Sequence, residues 1–210
     1  MEIGTIVLTF IGLLLALTVH EAAHAWAASR LGDPTARLLG RLSLNPLVHI
    51  DPVGTVLLPL VAFTMNAPII GWAKPVPVDG RHLRHFRRDF MWIALAGPVS
   101  NLLLAVIASL ALRALPFLPL TAGTLAVVEP LGQFFYAFFR INILLAVFNM
   151  IPVPPLDGSN VVAAMLPAGL AHQWDRIRPF GIFILYGLIL TGTLSALIVP
   201  PTRFLVGLLS

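Results

Sequence analysis

Long apolar runs alternate along this chain with short polar connections rich in glycine and proline. Residues 3–28 form the first run, enough to cross a hydrocarbon core of roughly 30 Å. Residues 90–115 and 131–151 form two more, and a fourth covers roughly 180–199, with a stop expected at Pro200-Pro201. After "PVPPLDG" a short helix is predicted from Ser159 to about Trp174, interrupted by Pro167. Residues 55–77 are different: their apolar part is short and broken by Pro59 and Pro68, the texture of a re-entrant or interfacial segment. Strand-like pieces such as "GTVLLPLV" lie in the same region and suggest an edge for an extended peptide. The pattern therefore predicts an all-α polytopic membrane protein of about four transmembrane helices, plus a re-entrant or short β-hairpin segment at about 36–77. No internal repeat is evident and the polar connections are too short to fold alone, so 1–210 reads as one membrane domain with no separate soluble domain.

Composition fixes the solvent. The chain is 58% hydrophobic and only 10% charged, against about 25% charged in ordinary soluble domains. It cannot cover a water-facing surface, and the lipid bilayer is its expected partner. The absence of cysteine excludes disulfides, thiolate metal sites and cysteine nucleophiles. The net charge of +4 is no nucleic-acid signal, because the cations fall in short loops where they set topology. Arg30, Arg37, Arg41, Lys74, Arg81, Arg84, Arg87, Arg88, Arg176 and Arg178 share one side if 55–77 does not cross. Only Arg113 and Arg203 then lie opposite, with Arg140 inside a span. That bias predicts four spans, both termini outside, and 29–89 plus 152–178 cytoplasmic. The first run reads as a span, not as a cleavable leader.

Against this background "TVHEAAHAWA", residues 18–27, stands out. His20 and His24 are four apart, so on a helix both imidazoles leave one face, one turn apart. That spacing suits two nitrogens gripping one Zn²⁺. Glu21, beside the first histidine, suits a general base for an attacking water; H-E-x-x-H is a metalloprotease signature for this reason. Three ionisable groups so close together at membrane depth are costly without a compensating partner. A catalytic zinc takes a third protein ligand. Asp157, beyond the third span and behind prolines that hold the backbone extended, is one candidate. Asp51 in "HIDPVG" is its rival, and Asp157 also suits a helix N-cap.

With these residues assembled, the chain resembles the site-2 protease family of intramembrane zinc metalloproteases. The resemblance rests on "HEAAH" (20–24), "AGPVSN" (96–101) and "NMIPVPPLDG" (149–158), in that order, and extends to "GRLSLNPLVHIDPVGT" and "GWAKPVPV". It is closest to the compact prokaryotic branch, and neither a PDZ nor a CBS domain is evident. The resemblance implies His20, His24 and Asp157 as ligands of one Zn²⁺ per chain, Glu21 as catalytic acid/base, and Asn149 as support for the substrate oxyanion. Asn101 and Asn142 are read as interhelical hydrogen bonders. The implied activity is hydrolysis of peptide bonds in or near transmembrane segments of protein or peptide substrates. That activity serves regulated intramembrane proteolysis or clearance of signal-peptide remnants, in a prokaryotic cell membrane with the site toward the cytoplasm. Two alternatives belong to other classes: an inactive metal-binding scaffold, and a zinc or proton transporter, which would distribute its ionisable groups along a path across the membrane.

Overall fold

The computed structural model of the chain describes residues 3–57, 61, 73–118 and 122–210. Every regular element among them is helical. Helix α1 spans Ile3–Arg30 and a single turn, α2, spans Thr35–Leu38. The long helices α3 and α4 cover Phe86–Ala114 and Ala122–Asn149. Shorter helices follow: α5 at Asp157–Met165, α6 at Ala168–Ile177, α7 at Gly181–Leu190 and α8 at Thr193–Leu209. Among the described residues three helices are long and apolar enough to cross a membrane, and the bent pair 169–190 plus 193–209 raises the number to four.

The first three spans agree with the sequence pattern in number and order, but their ends move. Helix α4 begins nine residues before the predicted 131 and runs through Pro130. The last span differs more. It breaks at Gly192, whose φ of +73° suits glycine, and bends there by 80°. It then continues through Pro200 and Pro201 to Leu209. Each of those prolines removes one N–H from the ladder, yet the helix continues past both. The stretch from Ser159 to Trp174 is two helices broken at Pro167, as its proline suggested, with the first starting at Asp157. Of the expected re-entrant or hairpin segment at 36–77, residues 58–60 and 62–72 lie outside the described residues; of the strand-like "GTVLLPLV" (54–61), residues 54–57 are described and belong to a helical turn, not to a strand. The described remainder contains turns, one 3₁₀ turn at Pro46–Val48 and a wide helical turn at Pro52–Leu57.

The bundle is built around α3, which packs along both α1 and α4. Small side chains allow the approach: Ala16 on α1, with Ala105 and Ala108 on α3, is fully buried beside Phe138, Phe139 and Ile143 of α4. Two buried charged residues then anchor the connection from α1 to α3. Helix α1 stops at Gly32 (φ +110°), and the Asp33 carboxylate turns inward, fully buried. It accepts from Thr35 N and Oγ1 (3.0 and 2.5 Å) and from Asp79 N (2.7 Å). Burial pushes its pKa up, but the Thr35 and Asp79 hydrogen bonds outweigh this and hold the carboxyl below its ordinary value. Arg41 donates to the carbonyls of Val48 and Lys74, while Lys74 N donates to His49 O at 2.8 Å. Asp33 and Arg41 thereby hold the extended residues 73–78 at both ends, beside the mouth of the cavity described next.

Candidate active site

His20 and His24 lie on the α1 face that meets α3, and only 4% and 8% of their surfaces are exposed. Each ring is fixed through Nδ1. His20 Nδ1 donates to Asn101 Oδ1 at 2.5 Å, and His24 Nδ1 donates to the Ile93 carbonyl at 2.7 Å. A carbonyl oxygen only accepts, so Nδ1 of His24 carries the proton. The Asn101 amide is oriented by its own Nδ2, which donates to Ala16 O (3.3 Å) and to Asn142 Oδ1 (2.8 Å). Asn142 in turn donates to Phe138 O at 2.8 Å. With Nδ1 the donor in each ring, the neutral form of each imidazole has its lone pair on Nε2.

Those two lone pairs face each other. The Nε2 atoms are 3.0 Å apart, and Asp157 Oδ2 stands 3.1 Å from His20 Nε2 and 3.4 Å from His24 Nε2. Three electron-pair donors at such separations require a proton shared among them or a metal cation between them. The separations also match the roughly 3.3 Å edge of a tetrahedron with zinc–ligand distances near 2.0–2.1 Å. The donor set fits zinc: two imidazoles, each with its Nδ1 tied to a fixed partner, and a carboxylate. Among the described residues these three form the group that could hold a metal ion.

Glycines make the geometry reachable. A Cβ on Gly97 of α3 would lie 2.5 Å from His24 Nε2 and 2.6 Å from His20 Nε2, so only glycine leaves space for the donors. One turn on, Asn101 meets His20, which explains why "AGPVSN" has glycine and asparagine four apart. A Cβ on Gly158 would lie 2.3 Å from the Met150 carbonyl oxygen. Its absence lets the start of α5 fold back against the end of α4 and brings Asp157 to the histidines. Arg87 of α3 fastens the other end of α5, donating to the carbonyls of Ala163 (2.9 Å) and Leu166.

A cavity of about 520 Å³ opens beside the group, lined by Glu21, Asn149 and Asp157 among others, with Ala73, Pro75 and Val76 along one wall. Glu21 is half-buried there. Asn149 Nδ2 donates to Leu145 O at 3.0 Å, which leaves its second amide hydrogen unassigned. The rival Asp51 is elsewhere, its Oδ1 accepting from Val53 N and Gly54 N within its own turn. His49 bonds Ser43 O, His82 lies near Asp33, and His85 pairs with Arg88, so none of them joins the group. The N-cap alternative for Asp157 is not realised, because it is the first residue of α5 and its carboxylate faces the histidines. Asn101, read from sequence as an interhelical bonder, is that and also the partner of His20. Its spacing of four from Gly97 was the available signal.

The geometry can be set beside known proteins. Residues 116–191 match the family model of Peptidase family M50. The "Putative zinc metalloprotease YwhC" of Bacillus subtilis is 36% identical over 181 residues, which cover 86% of this chain and 79% of that protein. Rip2 of Mycolicibacterium smegmatis, described by the same words, is 30% identical over 199 residues, covering 92% and 70%. Rip2 of Mycobacterium tuberculosis (strain Erdman) is 34% identical over 192 residues, covering 91% and 70%. No solved structure matches.

Proposed function

The chain belongs to peptidase family M50, the site-2 protease family of membrane zinc metalloproteases, and on that premise we propose that it is an H-E-x-x-H endopeptidase. It hydrolyses peptide bonds in or near transmembrane segments of its substrates. The observation that carries this reading is the convergence of His20 Nε2, His24 Nε2 and Asp157 Oδ2 on one point beside Glu21. His20, His24 and Asp157 would hold the zinc, which when bound would supply Lewis-acid chemistry at the scissile carbonyl and lower the pKa of water.

The protein's own residues do the rest. The Glu21 carboxylate takes a proton from the attacking water and returns it to the amine nitrogen as the C–N bond breaks. Asn149, on the same cavity wall, donates its free amide hydrogen to the oxyanion that develops on the former carbonyl oxygen. Asn101 and the Ile93 carbonyl hold the two imidazoles in the tautomer that leaves Nε2 free. The wall formed by Ala73, Pro75 and Val76 suits contact with a substrate chain drawn out of its helix. The crowding of cations into the loops beside this cavity supports a site open to the cytoplasm of a prokaryotic cell.

The test is cleavage of membrane-spanning peptides by purified protein in sealed vesicles. Glu21→Gln is expected to abolish cleavage while zinc stays bound. Zinc or proton flux without cleavage would favour the transporter reading, and bound zinc with neither activity would favour a scaffold.

A further inference from the structure

One strongly polar feature of the bundle lies outside this chemistry. On α4, residues Glu129, Gln133, Tyr136 and Arg140 are spaced four, three and four apart, and so occupy one helical face. All four are exposed, and Tyr136 keeps 54% of its surface. The opposite side of the same helix is closed, with Phe139, Asn142, Ile143 and Ala146 buried against the bundle. The stripe therefore faces outward from a membrane-spanning helix.

Arg140 cannot readily escape to water. It lies nine residues before Asn149, on the order of 13 Å inside that end of the helix. Its side chain points the other way, as helical side chains do. The guanidinium reaches back one turn to donate to the Tyr136 hydroxyl at 3.1 Å, and lies 5.8 Å from the centre of that ring. Toward the start of the span at Thr124 it faces sixteen more residues, roughly 24 Å. A cation held at this depth on an outward face is costly in lipid unless something covers it.

We propose that this stripe is the docking site for a transmembrane helix of a partner protein, one carrying a carboxylate at the depth of Arg140. The carboxylate meets the guanidinium that Tyr136 already orients, and the Gln133 amide and Glu129 give a hydrogen-bonding partner further contacts along the same face. A second copy of this chain is a poor occupant. A two-fold axis along the membrane normal would set Arg140 against Arg140 and Glu129 against Glu129 at equal depth. The docked helix is also distinct from the segment in the cavity, because Leu145 and Asn149 line that cavity from another face of α4. The inference is independent of the peptidase reading.

The experiment uses the full chain in phosphatidylcholine vesicles and measures energy transfer to synthetic polyleucine transmembrane peptides. One peptide carries a single Glu at the depth of Arg140, a second carries Gln there, and a third carries the Glu two turns away. The Glu peptide at matched depth should bind about three- to twentyfold more tightly than the other two. Arg140→Leu should erase that preference while zinc content and helicity stay unchanged, and Arg140→Lys should keep part of it. Should Arg140→Leu fail to fold, Arg140→Gln provides the same comparison. Equal binding of the three peptides would overturn the proposal, as would a preference that survives loss of the cation. So would self-association of the chain that Arg140→Leu dissolves, or binding that appears only with anionic lipid.

Discussion

Two sets of polar side chains sit within the spans of this bundle, and they are satisfied in opposite ways. His20, His24, Asn101 and Asn142 face inward, and nearly every polar atom among them has a partner on a neighbouring helix. Glu129, Gln133, Tyr136 and Arg140 face outward along α4, and the one bond among them is local, from Arg140 to Tyr136. At the inner set, the helices complete one another and leave three lone pairs converging, which is a demand for a cation. At the outer set nothing among the described residues completes the stripe, which is the ground for the docking proposal. The comparison teaches that a polar group in lipid should be judged by where its remaining bonding capacity points.

Gly97→Ala should break the inner set most completely. The added methyl would overlap both Nε2 atoms, and the atoms that must give way are the donors themselves. Zinc per chain, measured after dialysis, should fall close to zero with helicity retained; full zinc occupancy would contradict the geometry. Asn101→Leu is milder. It leaves His20 Nδ1 without its acceptor, and the expected loss is about 10–100-fold in zinc affinity by chelator competition. Asn142→Leu, acting through Asn101, should cost less. Equal losses for both would mean that the chain of amides acts through packing alone.

The smallest effect on the site is expected from Asp33, which anchors the connection and not the donors. Asp33→Ala should destabilise the fold by about 1–3 kcal/mol through its lost hydrogen bonds and leave zinc affinity nearly unchanged. The pH dependence has a definite sign. The folded carboxyl titrates below its ordinary value, so its contribution is fully present above about pH 4. It is lost as pH falls through the lower folded value. Melting curves of the wild type and the variant should therefore converge on acidification, and a gap that widened would reverse the assignment.

Much of this could be read from the sequence where the relevant spacing is local. His20, Glu21 and His24 are legible because helical periodicity alone puts the two imidazoles together. Asp157 is not legible in that way, since nothing in spacing brings it to His20 across 137 positions. Its choice over Asp51 rested on resemblance, and the fold supplies the cause in the close approach of Gly158 to Met150. Asn101 was underestimated because a pattern records which face an amide occupies, not which ring it meets there. The end of the last span was misread because proline at 200 and 201 is the louder signal, although glycine at 192 makes the break.

The most direct test of the central claim is X-ray absorption at the zinc edge on the purified protein, with His24→Ala beside it. Two imidazole nitrogens at about 2.0–2.1 Å, accompanied by oxygen donors and with one imidazole lost in the variant, is the predicted result. An all-oxygen zinc environment, or a spectrum that His24→Ala leaves unchanged, would contradict the account.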